Sequence, residues 1–113
     1  MPKLFALLVG INEYQTSITT VPNLYGCLND VDALHGYLEK KFPATDRHVE
    51  VLKNDQATYR EVVRLFGADH LEKATADDIV LFAFSGHGSR ELAPQEFLEY
   101  FPEGKMETLV LTD

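Results

Sequence analysis

The chain has a single cysteine, Cys27, among its 113 residues. No disulfide can therefore form within the chain, although small secreted domains commonly depend on disulfides. The lone cysteine thus favours an intracellular protein, and we expect a cytoplasmic location.

Long apolar runs are also missing. No stretch reaches the ~18 apolar residues that a membrane-spanning helix requires. The first apolar run, at residues 4–11, is followed by Asn12 and Glu13 instead of the small residues of a signal-peptide cleavage site. We therefore expect neither a signal peptide nor a membrane partner.

Basic residues are scarce. The chain has 10 Lys and Arg against 18 Asp and Glu, for a formal net charge of −8. Binding to the phosphates of nucleic acid requires a concentration of positive charge, and an anionic membrane surface attracts the same kind of patch. The composition therefore argues against nucleic acid and membranes as partners, whereas an acidic surface attracts basic peptides.

Two common cofactor and catalytic motifs are absent. A dinucleotide site needs Gly-x-Gly-x-x-Gly after the first strand, but Gly10 is followed by Ile11, Asn12 and Glu13. A serine hydrolase of the α/β type needs a Gly-x-Ser-x-Gly turn at its nucleophile, and the sequence has none. Both of these function classes are therefore disfavoured.

The sequence does contain an alternation of strand and helix patterns, over a length that suits one domain. Continuous apolar runs predict strands at residues 4–9 and 79–84, and shorter patterns predict strands at residues 48–52 and 108–111. Strands that alternate with helices pair in parallel through right-handed crossovers. The predicted fold class is therefore α/β, a mostly parallel sheet flanked by helices.

Two helices are predicted between these strands. The first begins near Asn29 or Asp30, which suit an N-cap or a first turn, and ends before Pro43. The second begins at Thr58, whose spacing to Glu61 has the form of a capping box. Apolar residues at helical spacing predict a buried side for each helix: Val31, Leu34, Leu38 and Phe42 in the first, and Val62, Val63, Phe66 and Leu71 in the second.

The segment from Asp77 to Gly88 carries the strongest functional signal. Its apolar residues predict a strand that is buried on both faces, and it ends in Gly86-His87-Gly88. His87 then lies just past the carboxyl end of a parallel strand, where α/β proteins gather catalytic groups, and the glycines allow close approach. A histidine there can exchange protons near neutral pH. The alternative interpretation is a surface-loop histidine.

Three sequence clusters resemble the metacaspases and related prokaryotic caspase-like peptidases. They are FALLVGINEY at residues 5–14, LYGCLNDV at residues 24–31 and FSGHG at residues 84–88. Their order matches the amino-terminal, large-subunit half of the peptidase domain, and the resemblance covers nearly the whole chain. It implies a caspase-like fold with about four strands in this half. It also implies cysteine endopeptidase activity, made as a zymogen, with residues 1–113 as the amino-terminal part of a single domain.

The resemblance implies roles for five residues. His87 matches the histidine of a Cys–His dyad, which polarises the thiol and protonates the leaving amine, and the Gly88 N–H matches an oxyanion donor. Cys27, Asp30 and Ser85 match positions that line the pocket for the substrate residue before the cut. A carboxylate at Asp30 implies cleavage after Arg or Lys. Without the resemblance, Asp30 is interpreted as a first-turn helix acid and Cys27 as a small buried residue.

The nucleophile of this family is missing from the sequence. It belongs to a later segment of the type Asp-x-Cys-His-Ser-Gly, and Cys27 lies in a different motif, although a Cys27–His87 dyad is an alternative. We therefore expect the chain alone to be inactive and to require the carboxyl-terminal half of the same domain as a partner. The other function class is a non-catalytic caspase-like module for protein interaction, in which His87 would have no purpose.

The carboxyl end of the sequence gives further expectations. The predicted strand at residues 108–111 leaves an open sheet edge, which suggests that part of the domain is carried elsewhere. Asp113 is not basic, so a terminus there does not fit self-cleavage after Arg or Lys. No cofactor is expected, but calcium is undecided, because the stretch before this strand holds Glu103 and Glu107 rather than a run of aspartates.

Overall fold

The computed structural model describes residues 2–14, 23–92, 95–100 and 105–113 of the chain. Within these residues, no helix combines the length and the apolar character needed to cross a membrane. The strands are β1 (Leu4–Gly10), β2 (Arg47–Lys53), β3 (Ile79–Ser85), β4 (Gly88–Leu92) and β5 (Lys105–Leu109); the helices are α1 (Cys27–Lys41) and α2 (Tyr59–Phe66), with 3-10 helices at Asn54–Gln56, Leu71–Lys73 and Gln95–Tyr100.

Strands β1, β2 and β3 form a parallel sheet in the order β2-β1-β3. Gly10, the last residue of β1, lies opposite Lys53 of β2 and Ser85 of β3. Every residue of β1 is buried, as expected for a strand that has a neighbour on each side and a helix on each face. The α/β fold class is therefore confirmed, and the three carboxyl ends form one edge of the sheet.

The side chains of β1 alternate between two apolar clusters, because successive residues of a strand point to opposite faces. The even-numbered residues of β1 face α1, and the odd-numbered residues face α2. The buried helix residues in these clusters are Val31 and Leu38 of α1 and Val62 and Leu65 of α2. The two helices therefore cover opposite faces of the sheet, and the loops after β1 and β3 emerge between them.

Helix α1 begins at Cys27, so Asn29 and Asp30 lie in its first turn, which is one of the two positions predicted for them, and not at its N-cap. The cap comes from a distant segment: Asn12 Oδ1 accepts hydrogen bonds from the N–H groups of Cys27 at 2.8 Å and Leu28 at 3.4 Å. The end agrees with the prediction, because the helix stops at Lys41, ahead of Pro43. The start of α1 is thereby fixed to the loop that follows β1.

Helix α2 begins as predicted, because the Thr58 side chain accepts a hydrogen bond from the Glu61 N–H at 3.2 Å. Its predicted buried side is wrong in part, since Val63 and Phe66 are 51% and 52% exposed. The helix has only 8 residues, so a narrow stripe faces the sheet. The residues that reach the core are Val62 and Leu65 of the helix and, as predicted, Leu71 of the following 3-10 helix.

Strand β3 differs from the prediction of a strand buried on both faces. Ile79 and Val80 are 43% and 53% exposed, and the rest of the strand is half-buried. Among the described residues β3 pairs only with β1, so it forms an edge of the sheet. Its apolar sequence is the pattern of a central strand, which is a role that β3 does not have within this chain.

The predicted fourth strand does not extend the parallel sheet. The predicted residues 108–111 overlap only the last two residues of β5. Strand β5 pairs antiparallel with β4, so that Gly88 lies opposite Leu109 and Leu92 opposite Lys105. The prediction missed β4 because its sequence is mostly polar and its partner lies far along the chain. Within the described part of the chain β5 has this one partner, and the edges of the parallel sheet are β2 and β3.

Candidate active site

Two of the predicted site residues meet at the carboxyl edge of the parallel sheet. Ser85 ends β3, and Asp30 lies in the first turn of α1. The Ser85 hydroxyl donates a hydrogen bond to Asp30 Oδ2 at 3.1 Å, although the residues are 55 positions apart. This contact fixes the orientation of the carboxylate and occupies only one of its oxygens.

A cleft of about 240 Å³ lies beside this contact. Its walls come from α1 and from the end of β3, and its lining residues are Asp30, Val31, Leu34, Ala83, Phe84 and Ser85. Most of the lining is apolar, and the carboxylate and the hydroxyl are its polar groups. A cleft with this chemistry suits one long side chain that carries a positive charge at its end.

Cys27 is the first residue of α1 and is 7% exposed. A Cβ built on Gly10 would lie 3.1 Å from the Cys27 carbonyl oxygen and 2.7 Å from Cγ2 of Val31. Glycine at position 10 therefore allows the start of α1 to sit directly on the end of β1. Of the three residues predicted to line the substrate pocket, Asp30 and Ser85 line the cleft, whereas Cys27 is buried one turn before Asp30.

His87 lies in the loop between β3 and β4 and is half-buried. Its backbone N–H donates to Tyr14 Oη at 2.7 Å, and its carbonyl oxygen accepts from the Val110 N–H at 2.9 Å. The Tyr14 hydroxyl donates in turn to the Val110 carbonyl at 3.1 Å. The rings of Tyr14 and His87 are in contact, with centroids 5.1 Å apart and planes tilted by 54°. Tyr14 therefore contacts both the backbone and the side chain of the histidine.

The environment of Tyr14 keeps its hydroxyl protonated. Burial raises the pKa of Tyr14, the hydrogen bond from the His87 N–H partly opposes this rise, and the electrostatic interaction with Cys27 makes a smaller contribution that raises the pKa further. A neutral hydroxyl can accept one hydrogen bond and donate another. These are the two bonds that Tyr14 makes to the histidine loop and to Val110.

The two glycines beside His87 differ in their surroundings. A Cβ on Gly86 would lie 2.8 Å from Tyr14 Oη and 2.9 Å from Cζ of Phe84. A Cβ on Gly88 would meet only the Thr108 carbonyl oxygen, at an ordinary 3.5 Å. Glycine is therefore required by packing at position 86, whereas position 88 is exposed at the start of β4.

Asn12 and Asn54 support the site, and the sequence prediction did not include them. Asn12 caps α1, while the N–H groups of Asn12 and Glu13 donate to Asn54 Oδ1 at 2.9 and 3.1 Å. Asn54 has a φ of 50°, a left-handed conformation that asparagine tolerates better than most residues. The loop after β1 is thereby held between α1 and the end of β2.

No group of three or more His, Cys, Asp or Glu side chains in the described ranges is arranged to hold a metal ion. Of the two acids considered for calcium, Glu103 lies outside the described residues, and the side chain of Glu107 does as well. Calcium dependence therefore stays undecided, as it was from the sequence alone.

A protein-family model described as the metacaspase, peptidase C14 domain matches residues 5–113. The chain belongs to the metacaspase family. The match begins in β1 and includes the start of α1 and the histidine loop, so it confirms the resemblance drawn from the three sequence clusters.

Individual metacaspases of Arabidopsis thaliana show the same relationship. Metacaspase-7 is 30% identical over 112 residues, which cover 96% of this metacaspase chain and 26% of the relative. Metacaspase-6 is 30% identical over 112 residues, covering 96% and 29%, and metacaspase-4 is 31% identical over 90 residues, covering 75% and 20%. The chain thus spans 20% to 29% of the length of these relatives. No solved structure gives a significant match.

Proposed function

We propose that this chain is the histidine-bearing half of a caspase-like cysteine endopeptidase that cuts after Arg or Lys. One observation carries the proposal: the His87 loop and the Asp30–Ser85 cleft occur together at the carboxyl edge of the parallel sheet. That edge is where α/β proteins place their reacting groups. A peptide lying across it would present its side chain to the cleft and its scissile bond to the histidine.

The chemistry divides between this chain and a second segment. The His87 imidazole polarises the thiol of the nucleophile and protonates the leaving amine, while the Gly88 N–H steadies the negative charge on the scissile carbonyl oxygen. The nucleophilic cysteine comes from the carboxyl-terminal half of the domain. Cys27 is a poor substitute, because it is buried at the start of α1 and its N–H is held by Asn12.

Substrate selection rests on Asp30. Ser85 holds Oδ2 of its carboxylate, which leaves lone pairs on the carboxylate for the guanidinium of Arg or the ammonium of Lys. The apolar walls formed by Leu34 and Ala83 suit the methylene groups of these side chains. An Asp side chain in the same cleft would face the like charge of Asp30.

The partner of this chain is the carboxyl-terminal half of the same domain. Strand β3 has an apolar sequence and an unpaired edge among the described residues, with Ile79 and Val80 exposed. Burying such a strand on both faces requires a further strand and further layers. The complete domain is proposed to act in the cytoplasm, to be made as a zymogen and to need no bound cofactor, with calcium as a candidate activator.

The substrate preference is tested with fluorogenic peptides that differ only in the residue before the cut. For the complete domain we expect cleavage after Arg and Lys, and little after Asp or Ala. Asp30→Asn should lower kcat/KM for the basic peptides by roughly 10- to 100-fold, which corresponds to the loss of a charge-assisted hydrogen bond. Asp32→Asn is the matched control, since Asp32 lies on the same helix but pairs with Lys53 outside the cleft. Preferred cleavage after Asp would contradict the proposal.

The role of the histidine is tested separately with His87→Ala. We expect kcat to fall by about 10²- to 10⁴-fold through the loss of acid–base catalysis, while KM for an Arg peptide changes little. His48→Ala is a suitable control, because His48 is exposed on β2 and stacks on Phe5. Near-normal turnover in His87→Ala would identify a structural loop histidine and contradict its catalytic role, whereas a wild-type complete domain without turnover would favour the non-catalytic interaction module. Assays with added calcium and with a chelator test the activator.

A further inference from the structure

Three hydrogen bonds around His87 form a closed ring. The His87 N–H donates to Tyr14 Oη, Tyr14 Oη donates to the Val110 carbonyl, and the Val110 N–H donates to the His87 carbonyl. The distances are 2.7, 3.1 and 2.9 Å. Both backbone polar groups of His87 are therefore held, one by a side chain and one by the segment after β5.

Three features of Tyr14 suit it to hold the histidine loop. Its ring is 7% exposed and belongs to the core cluster on the α2 face, so its position is fixed by packing. Its hydroxyl emerges from that core at the histidine loop, where Gly86 leaves just enough space for it. Its ring contacts the imidazole of His87 at a tilted angle. A phenylalanine at position 14 would keep the packing but could make neither hydrogen bond.

We propose that Tyr14 is a positioning residue for the catalytic loop, fixing both the imidazole of His87 and the N–H of Gly88. The inference rests on the proposed peptidase function and adds a residue to it. Residues 87 and 88 share one peptide unit, so the bond from the His87 carbonyl to Val110 also sets the direction of the Gly88 N–H. The ring of hydrogen bonds thus aligns the proton-transfer group and the oxyanion donor together.

Such alignment matters because catalysis depends steeply on geometry. A displacement of about 1 Å in a reacting group can cost on the order of 10²-fold in rate. Loops that connect strands move more readily than the strands themselves. Here the neutral hydroxyl of Tyr14, which is anchored in the core, restrains the short loop that carries His87.

The test compares Tyr14→Phe with Tyr37→Phe in the complete domain. Tyr37 is an exposed residue on α1 and provides the matched control. For Tyr14→Phe we expect kcat on an Arg peptide to fall by roughly 10- to 100-fold with KM within about a factor of two, because the cleft is untouched. Tyr37→Phe should resemble the wild type. Hydrogen exchange of the His87 amide, followed by NMR, should accelerate in Tyr14→Phe, while exchange of the Ile11 amide, bonded to Ser85, stays unchanged.

The outcomes separate the inference from the function on which it rests. Faster exchange at His87 together with a kcat-specific loss supports the positioning role. An active wild type with unchanged kcat in Tyr14→Phe overturns the inference alone, and assigns Tyr14 to core packing. A wild-type domain that cuts no basic peptide overturns the proposed function and the inference with it. A fall in kcat that is accompanied by a lower melting temperature, and by faster exchange at Ile11 as well as at His87, would show general unfolding. That outcome would also contradict the inference.

Discussion

At the scale of single residues, the histidine loop passes so close to its neighbours that position 86 has no room for a side chain. The nearest atoms to a Cβ on Gly86 are the Tyr14 hydroxyl and the ring of Phe84, both closer than real Cβ contacts permit. Gly36 is the opposite case, because it lies within α1 and a Cβ there would meet nothing within 4 Å. The two glycines should therefore respond to alanine in opposite directions.

We expect Gly86→Ala to lower the free energy of unfolding by about 1–3 kcal/mol, since the methyl group must displace the rings of Tyr14 and Phe84 or the loop itself. It should also reduce peptide turnover, because the shift falls beside His87. Gly36→Ala should raise the free energy of unfolding by about 0.5–1 kcal/mol through its better helix propensity. Urea denaturation of the complete domain measures both. If Gly86→Ala and the wild type had the same free energy of unfolding, the Tyr14 hydroxyl would be able to move aside without destabilising the fold.

The sequence predicted the residues at strand and helix ends better than those that support them. The meeting of Asp30 and Ser85 was implied by the family resemblance, and it agrees with a rule of parallel sheets, since the end of β3 faces the start of a crossover helix. The role of Tyr14 follows from no local pattern. Its bonds reach 73 and 96 residues along the chain, and a tyrosine in a loop gives no sign of them. Only the folded structure brings these groups together.

At the scale of elements, Asp78 joins the amino ends of β1 and β3. Its Oδ2 accepts from the Thr75 N–H at 2.9 Å, and its Oδ1 accepts from the Lys3 N–H at 3.1 Å. These bonds, with that from Thr75 the stronger cause, lower the pKa of Asp78 below its ordinary value of 3.8. The carboxylate form is therefore favoured by the folded state.

This shift predicts a pH dependence of stability. A carboxyl group with a depressed folded pKa stabilises the fold fully above its unfolded pKa, and that contribution disappears as pH falls through the folded value. Asp78→Ala should therefore melt at a lower temperature than the wild type near neutral pH, and the difference should shrink below pH 3.8. Asp77→Ala, at the exposed neighbouring position, is the control and should show little difference at any pH. A difference in melting temperature between Asp78→Ala and the wild type that stays constant as pH falls would show that the charge of the carboxylate is not the cause.

Element boundaries were predicted well where their signals are local. Thr58 starts α2 through its own side chain, and Pro43 follows the end of α1. The cap of α1 was not predicted, because Asn12, on another segment, supplies it. Strand β4 was missed because pairing with β5, rather than apolar periodicity, makes it a strand. In each miss, the deciding contact joins residues that are distant in sequence.

At the scale of the whole molecule, the α/β class was predictable because β1 and β3 are continuous apolar runs separated by helical patterns. The place of the open edge was not predictable, because it depends on which strands pair. Among the described residues the edges of the parallel sheet are β2 and β3, and β3 is the edge strand on which Ile79 and Val80 are exposed. An apolar strand edge of this kind invites pairing with another chain.

The isolated 113-residue chain should therefore associate or precipitate, whereas the complete domain should remain soluble. Val80→Lys should reduce association of the isolated chain, since a charge on an edge strand opposes pairing. Val63→Lys is the control, because Val63 is similarly exposed but lies on α2. Analytical ultracentrifugation measures the association. A stable, cooperatively folding monomer of the wild-type chain would show that β3 needs no further cover.

The bond between Tyr14 and Val110 also bears on the order in which parts of the chain fold during synthesis. It joins residues 96 positions apart, so the ring of hydrogen bonds around His87 cannot close until nearly all of this chain has left the ribosome. The parallel pairing of β1 with β2 can form much earlier, when only the first half has emerged. We therefore expect the histidine loop to become ordered after β1 has paired with β2, so that the candidate site is among the last parts of this chain to be assembled.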